Sequence, residues 1–311
     1  MQRAESNTAE LIDRAAGQAV ARLGKERGGA VERFIRQFYA NVPPDDLRSE
    51  SADTLFGAAL SLWNFGQQRP PGQPKLRVHN PRIEDHGWRS PHSIVEIVND
   101  DMPFLVDSVT AALNRRDLAV YLVIHPVLRV ARDASGRLVG AGDHAESWMQ
   151  VRIGELSDPA RIDAIRKGLE AVLADVRAAV ADWRAMRAKV AEIVAELDRR
   201  PPPLPAEEVA EGRDFLAWID DDHYTYLGYR EYAFVGQGEQ ATVRTIAESG
   251  LGVLRDDRVP VFEGLRNLDK LPLEMRHFLG QSRLLMVTKA NRRATVHRPA
   301  HLDTIGVKAF D

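Results

Sequence analysis

Apolar residues recur with two different periods along the chain, and the change of period divides it into segments. Up to about residue 70 the apolar positions are spaced three and four apart, as on one face of a helix. We predict helices over Thr8 to Leu23, Gly29 to Asn41 and Ser51 to Gln68, with Thr8 as the cap of the first. The stretch "RPPGQP" at 69–74 breaks this pattern and marks a boundary.

Between residues 75 and 156 strand patterns surround one helix. We predict strands over "KLRVHN", "HSIVEIV", "LAVYLVIHPVLRV" and "SWMQVRIGEL". The third is nearly all apolar, as a strand covered on both faces would be, and Pro126 requires a bulge or an edge within it. The helix between the second and third strands runs from Pro103 to Arg116, with Asp100 or Asp101 at its N-cap position.

A long helical pattern covers residues 158–199, and a second module follows it. An unbroken helix there would be about 60 Å long, whereas Asp182 could restart a second helix, and the pattern leaves both open. "RRPPPLP" is typical of a stiff linker. After a helix over 206–221, "HYTYLGYREYAFV" pairs with "QATVRTIA" in a predicted hairpin. A second predicted hairpin joins "SRLLMVTKA" to "ATVHRP" through a turn at Asn291.

The order strand, helix, strand, strand, helix over 92–180 is most of a ferredoxin-like unit, so we predict an α+β protein. The predicted segments are N-terminal helices at 1–70, a ferredoxin-like βαββα domain at 75–180, a helical extension with a proline-rich linker at 181–205, and a second, partial α+β module at 206–311. No fourth strand follows the second helix. We assign "KLRVHN" as an extra edge strand, and which strand completes the sheet stays open.

Composition excludes several classes of protein. The net charge of −3 over 311 residues argues against a dedicated nucleic-acid binder, which usually has a basic face. Because there is no cysteine, disulfides, thiolate metal sites and cysteine nucleophiles are excluded. The amino terminus lacks the apolar core of a signal peptide, and no window is apolar enough for a membrane span. We expect a cytoplasmic protein, and the strand-like run at its end suggests a fragment of a longer one.

The stretch Asn99, Asp100, Asp101, Met102 and Pro103 is the candidate ligand site. A helix N-terminus favours anions such as a carboxylate, and an adjacent aspartate could meet an ammonium group, so this turn could bind an amino acid. The alternative is an aspartate N-cap that only stabilises the helix, by about 1 kcal/mol. A catalytic pair is disfavoured, because adjacent carboxylates in a turn rarely act as acid and base.

Other polar clusters have simpler interpretations. "DDDH" at 220–223 is typical of a solvated helix end, and His79, His86 and His92 match no zinc spacing. His125 is expected to be a hydrogen-bonded core histidine. "GLGVLR" at 250–255 is expected to be a turn, since the third glycine of a dinucleotide fingerprint is absent. We therefore predict no catalytic residue, no cofactor site and no metal site.

A family resemblance adds what spacing does not show. "SPHSIVEIVNDDMPFLVDSVTAALNRRDLAVYLVIHPVLRV", "ESWMQVRI", "FLAWIDDDHYTYLGYREY", "SRLLMVTKAN" and "VHRPAHLDTIGVK" together resemble the N-terminal region of the large bacterial NAD-specific glutamate dehydrogenases. The resemblance implies a longer parent enzyme that deaminates L-glutamate oxidatively with NAD, whose catalytic and NAD-binding domains lie downstream. It also implies that 75–180 is an ACT-like domain and that a second, truncated one begins near 206.

The resemblance further implies a non-catalytic regulatory and assembly segment. Its partners would be the downstream domains of the same chain and further copies in a homo-oligomer, with no nucleic acid and no membrane. Ligand-binding ACT domains use the loop after their first strand, here Asn99 to Pro103, so an amino-acid effector is expected there. The loop has no glycine to let a ligand approach the backbone, which leaves a purely structural oligomerisation module as the alternative.

Overall fold

The helical pattern of the first 70 residues forms four helices. The computed structural model describes residues 2–235, 242–256, 258–259 and 281–310. The helices are α1 (Gln2–Leu23), α2 (Lys25–Tyr39), α3 (Pro44–Leu47) and α4 (Ala52–Gly66). The predicted cap at Thr8 is wrong, because α1 begins at Gln2 and Thr8 is buried within the helix. Ser51 caps α4 by accepting a hydrogen bond from the Thr54 N–H at 3.1 Å.

The next region is one antiparallel sheet with its helices. The elements are β1 (Lys75–His79), α5 (Ile83–His86), β2 (Ser93–Asp100), α6 (Leu105–Asn114), β3 (Val120–Ile124), β4 (Val127–Arg132), β5 (Leu138–Ala141), β6 (His144–Ile153) and α7 (Pro159–Arg199). The sheet order is β1-β2-β6-β4-β5, and β3 also pairs with β6. The register of β2 on β6 runs from Ser93 opposite Ile153 to Asp100 opposite Glu146.

The fourth strand position of the ferredoxin-like unit is filled by β1, which precedes the unit in the sequence. β1 pairs antiparallel with β2, with Lys75 opposite Val98 and His79 opposite Ile94. It therefore holds the edge beside the first strand, where the fourth strand of a βαββαβ unit would lie. The predicted α+β class is confirmed, and the assignment of "KLRVHN" as the added edge strand agrees with the pairing.

The apolar run over 118–130 forms two strands instead of one. β3 and β4 both pair with β6, and the break between them falls at His125 and Pro126. The Pro126 carbonyl accepts the Trp148 N–H at 3.0 Å, and the register on β6 is the same on both sides, with Ile124 opposite Gln150 and Val127 opposite Ser147. Of the two predicted alternatives, a bulge is therefore not formed at Pro126. The expectation that both faces are covered is wrong, because Tyr121 is 60% exposed and Val127 46% exposed.

Alternation along β6 defines two faces of the sheet. Face A carries Trp148, Gln150 and Arg152, and face B carries Met149, Val151 and Ile153, the division that the sequence predicts. Face A lies under the N-terminal helices: the Trp148 ring lies 5.3 Å from Phe34, and Gln150 donates to the Ala58 carbonyl at 3.2 Å. All six residues are buried, so β6 is covered on both faces.

The chain divides into two compact units. Unit 1 comprises Met1–Met102 and Val109–Ala171, and unit 2 comprises Pro103–Ser108 and Val172–Asp311. α7 is one continuous helix of 41 residues, which answers the question that the sequence leaves open about residues 158–199. In the part of the chain that the structure describes, no helix is long and apolar enough to span a bilayer.

The described residues of unit 2 continue with one helix and three two-stranded sheets. Its elements are α8 (Ala206–Trp218), a π-turn (Ile219–His223), β7 (Gly228–Tyr229), β8 (Tyr232–Val235), β9 (Thr242–Thr245), β10 (Leu251–Gly252), β11 (Leu285–Arg293) and β12 (His301–Val307). The pairs are β8 with β9, β7 with β10 and β11 with β12. Leu197, Leu216 and Leu284 lie in its core.

The two hairpins predicted for this unit have different outcomes. Tyr232 lies opposite Thr245, which confirms the first hairpin, while its predicted turn "GQGE" lies outside the described residues. The second prediction is wrong, because β11 continues through Asn291 and pairs with β12. The segment "ATVHRP" is instead the connection, closed by the Ala294 N–H on the Ala300 carbonyl at 2.8 Å.

Candidate functional site

The two aspartates of the candidate loop do not cap the following helix. Asn99 and Asp100 are still in β2, and α6 begins only at Leu105. Phe104, which immediately precedes α6, has a φ of 72°, and its carbonyl accepts the Ser108 N–H at 3.0 Å. The N-cap prediction for Asp100 or Asp101 is therefore wrong. Both carboxylates are held by groups distant in sequence instead.

Asp100 is held on face A by a buried arginine. Its Oδ1 lies 2.6 Å from Arg69 Nη2 and 2.9 Å from His144 Nε2. The Arg69 side chain is 2% exposed and that of Asp100 is 18% exposed. A buried guanidinium needs charged partners, because removal from water is costly for an unpaired ion. The primary role of Asp100 in this geometry is thus to neutralise Arg69.

Glu146 lies on β6, opposite Asp100 of β2, and with Arg69 and Arg132 it completes a network of four charged side chains on face A. Its Oε1 lies 2.8 Å from Arg69 Nη2 and 2.6 Å from Arg132 Nε, and its Oε2 accepts the Trp148 indole N–H at 3.1 Å. Burial alone would raise the pKa of Glu146, but hydrogen bonds from Arg132 and Arg69 outweigh it and hold the pKa below its usual value. Two arginines and two carboxylates thus balance in charge.

A second buried carboxylate on the same face is Glu96. Its Oε2 accepts from Arg77 Nε at 2.5 Å and lies 3.4 Å from His79 Nε2, while Gln150 Nε2 donates to its Oε1 at 3.2 Å. Burial would raise the pKa of Glu96, yet His79 and Arg77 together lower it. This cluster, like that of Glu146, is internally paired.

Asp101 is held differently, on face B. Its Oδ1 accepts the Ser147 hydroxyl at 2.6 Å, and its backbone N–H donates to the Ala145 carbonyl at 2.9 Å. The side chain is exposed, and in the part of the chain that the structure describes it forms no ion pair. Asn99 lies opposite Ser147 in the register, so both belong to this end of face B.

His125 is the other polar side chain associated with Asp101. Burial lowers the pKa of His125, and the negative charge of Asp101 opposes that shift. Its Nε2 is buried and has no hydrogen-bond partner among the described residues, so the bond predicted for a core histidine is not formed at that atom. Ser147 and His125 were not predicted as site residues. Only the pairing of β2 with β6, and the break at Pro126, places them near Asp101.

The remaining predicted site residues, Met102 and Pro103, follow Asp101. Met102 is half-buried and Pro103 is exposed. Unit 1 ends at Met102, and Pro103 belongs to unit 2, where the Phe104 ring lies 4.9 Å from the His297 ring. The structure therefore brings Asn99 and Asp101 together with Ser147 on face B and separates Asp100 from them.

The other clusters have structural roles. Asp221, Asp222 and His223 are exposed, as expected of a solvated helix end, and Arg187 lies 3.0 Å from Asp220 and 3.4 Å from Asp222. Among the described residues no group of three or more histidines, aspartates or glutamates could hold a metal ion. "GLGVLR" turns after Gly252, whose N–H donates to Asp182 at 2.7 Å.

Comparison with known proteins places this sheet in a family. Residues 34–169 match the model of the glutamate dehydrogenase ACT1 domain, from within α2 to within α7. The NAD-specific glutamate dehydrogenase of Halomonas elongata is 35% identical over 97% of the chain, and that of Pseudomonas aeruginosa is 33% identical over 93%. The enzyme of the same name from Mycobacterium tuberculosis is 28% identical over 62% of the chain.

The match covers only part of each relative. The chain spans 19% of the Halomonas protein, 18% of the Pseudomonas protein and 12% of the Mycobacterium protein. It thus corresponds to about a fifth of the length of the first two of these relatives.

Proposed function

The chain belongs to the N-terminal, ACT-domain region of the NAD-specific glutamate dehydrogenase family, and from that premise we propose that the full-length protein converts L-glutamate, NAD and water to 2-oxoglutarate, ammonia and NADH. The support is the name shared by the three relatives. We assign no catalytic residue and no NAD site to this segment and place both in the downstream domains. A cytoplasmic location is part of the same proposal.

The segment itself is proposed to be regulatory, binding an amino-acid effector at the loop after β2. The observation that carries this proposal is the contrast between Asp101 and the carboxylates near it. Asp100 and Glu146 are paired with buried arginines, whereas Asp101 presents an exposed carboxylate at the strand–helix loop that forms no ion pair with any described residue. Effector binding there would favour one domain arrangement and so alter the distant active site.

Isothermal titration of the purified 311-residue chain with L-glutamate, L-aspartate, L-leucine and L-arginine tests the effector. Asp100 is unsuitable for substitution in this titration, because its loss would weaken the pairing of the buried Arg69, which also contacts Glu146. The informative variant is Asp101→Asn, and Asp117→Asn is its matched control, since Asp117 is also exposed and has φ of 56°, which asparagine tolerates. Binding by the wild type and the control, but weaker binding by Asp101→Asn, is expected.

A structural role is the second candidate, favoured by a different observation. Tyr121, Val127 and Val139 are exposed apolar side chains on β3, β4 and β5. Exposed apolar side chains are candidates for protein interfaces, and further copies of the chain or its downstream domains are the proposed partners. Sedimentation velocity of the wild type and Val127→Asp would distinguish the roles. A dimer that this substitution dissociates, together with silence in the titration, would favour assembly alone.

The absence of catalysis from the segment is tested separately. Glutamate-dependent NADH formation is expected from the full-length protein and from none of the preparations of the 311-residue chain. Activity in the purified short chain would contradict the assignment of catalysis to downstream domains.

A further inference from the structure

The one-turn helix α5 is closed by the side chain of its last residue. The backbone N–H of Arg82, the N-cap residue, donates to Nδ1 of His86 at 3.2 Å, and the His86 N–H donates to the Arg82 carbonyl at 2.8 Å. The ring thus does for this turn what the reaching side chain of a capping box does for a longer helix. Because an imidazole nitrogen accepts a hydrogen bond only while it carries no proton, the closed turn requires a neutral His86 with its proton on Nε2.

A second imidazole ring lies against His86. The ring of His79, on β1, has its centroid 4.4 Å from that of His86, with 35° between the two planes. The His79 side chain is only 12% exposed, and its Nδ1 is buried without a hydrogen-bond partner among the described residues. Like charges this close in a partly buried setting repel strongly, so the contact disfavours positive charge on both rings at once.

The charged groups around His86 act in opposite directions. Burial has the largest effect and lowers the pKa of His86 below its ordinary value of 6.5. His79 and Arg77 on β1 also lower this pKa, whereas Asp85 on α5 and Glu96 on β2 raise it. Glu96 is already engaged, since it accepts from Arg77 Nε at 2.5 Å and lies 3.4 Å from His79 Nε2. The closed turn therefore favours the neutral ring.

The residues on either side of α5 are anchored independently of it. Asn80 donates to the Leu156 carbonyl at 2.7 Å and accepts the Ser93 hydroxyl. Trp88 is 3% exposed and packs in the same buried cluster as Ile94 of β2. An opening of the turn is therefore confined to the residues between Asn80 and Trp88 and leaves the sheet in place.

We propose that α5 is a pH-sensitive switch, which is closed while His86 is neutral and opens when protonation of Nδ1 removes the acceptor for the Arg82 N–H and adds a positive charge beside His79. In the open turn the His86 ring is in water and binds a proton more readily than in the closed turn. Opening is therefore favoured as pH falls below 6.5 and disfavoured above it. The inference does not depend on the proposed effector function.

Hydrogen exchange of the 311-residue chain at pH 8 and pH 5, corrected for the intrinsic pH dependence of exchange, tests the switch. Protection of the amides of residues 82–87 is expected to fall about five-fold or more at the lower pH, as for the loss of a helix cap, while β2 and β6 keep theirs. His86→Gln retains an acceptor oxygen but cannot titrate, so it should abolish this pH dependence. His92→Gln is the control and should retain it, because the His92 ring contacts Tyr121 instead.

Equal protection of residues 82–87 at the two pH values, or the same pH dependence in His86→Gln, would overturn the inference. So would a loss of protection shared equally by β2 and β6, because it would report global unfolding. If His86→Gln does not fold, ¹⁵N NMR of the wild-type imidazoles decides. The His86 ring must then show an unprotonated Nδ1 at pH 8 and a titration midpoint below 6.5, and a midpoint at or above 6.5 would reject the switch.

Discussion

The two faces of the sheet handle buried charge in different ways at the point where β2 ends. On face A, Asp100, Glu146 and Glu96 are each matched by arginines, so that charge is buried in closed networks. On face B the β2 residues Val95 and Ile97 are apolar and buried, and Asp101, just after the strand, is turned to solvent. Strand alternation alone places two adjacent carboxylates in these two settings, so neighbours in sequence have unrelated roles.

The network on face A also joins distant parts of the chain. Arg69 follows α4, and its N–H donates to the Gly136 carbonyl at 2.9 Å, while Gln68 forms a bridge with Arg137. The segment after the N-terminal helices is thereby attached to the β4–β5 hairpin and, through the Arg69 side chain, to the ends of β2 and β6. We expect the N-terminal helices and the sheet to unfold together.

The largest effect is expected from Arg69→Met. The substitution leaves Asp100 and the fully buried Glu146 with reduced compensation, and breaking a buried pair from one side typically costs about 3–5 kcal/mol. Urea unfolding followed by circular dichroism measures it. Arg166→Met is the control, since Arg166 forms solvent-exposed pairs with Asp163 and Glu170 on α7, and its loss should be much smaller. Equal losses in the two variants would contradict the difference between buried and exposed charge.

A smaller loss is expected from Gly66→Ala at the base of face A. A Cβ on Gly66 would lie 2.1 Å from the Trp148 ring, which is itself buried against Phe34, so the ring or α4 must shift. Overpacking of this kind costs about 1–3 kcal/mol. Gly17→Ala on α1 meets nothing within 4 Å and should instead stabilise by up to about 1 kcal/mol. If Gly66→Ala left the free energy of unfolding unchanged, face A would have to be loosely packed.

The sequence predicts the helices and strands that form face A better than it predicts the charged contacts on that face. Periodicity is sufficient for α2, α4, β2 and the alternation of β6, because each is a local pattern on one side of a buried layer. Arg69, by contrast, lies in the proline-rich stretch interpreted as a boundary, 31 residues from Asp100 and 77 from Glu146. Nothing local shows that this stretch returns to the sheet.

The same limit applies to face B. The loop "NDDMPF" is visible as an interruption between a strand and a helix, but its partner Ser147 is brought to it by the pairing of β2 with β6. The N-cap prediction fails for a related reason: a buried arginine and a serine hydroxyl outcompete the α6 backbone for the two carboxylates. Residues that pair across a sheet can be assigned only when register is known.

Lowering the pH should weaken the buried charge networks of face A. The pKa values of Glu96 and Glu146 are lowered on folding, so their stabilising contribution is complete above the unfolded value near 4.5 and is lost as pH falls through the lower folded values. His86 and His125, whose pKa values are lowered mainly by burial, reduce stability once pH falls below about 6.5. Melting temperatures from pH 7 to 3 should thus fall slightly at first and steeply below pH 4.5; a flat profile would contradict this.

The finest test of the comparison substitutes the two neighbouring aspartates separately. Asp100→Asn removes the charge facing Arg69 but keeps an acceptor, and because Asp100 is 18% exposed the expected loss is only about 1–2 kcal/mol. Asp101→Asn keeps an oxygen for Ser147, and no described residue forms an ion pair with Asp101, so its effect should lie within about 0.5 kcal/mol, as for an ordinary surface change. Chemical denaturation of both variants in the same buffer measures the difference. If Asp101→Asn lowered the free energy of unfolding more than Asp100→Asn, Asp101 would be a structural residue. The contrast between a paired carboxylate on face A and an exposed one on face B would then be wrong.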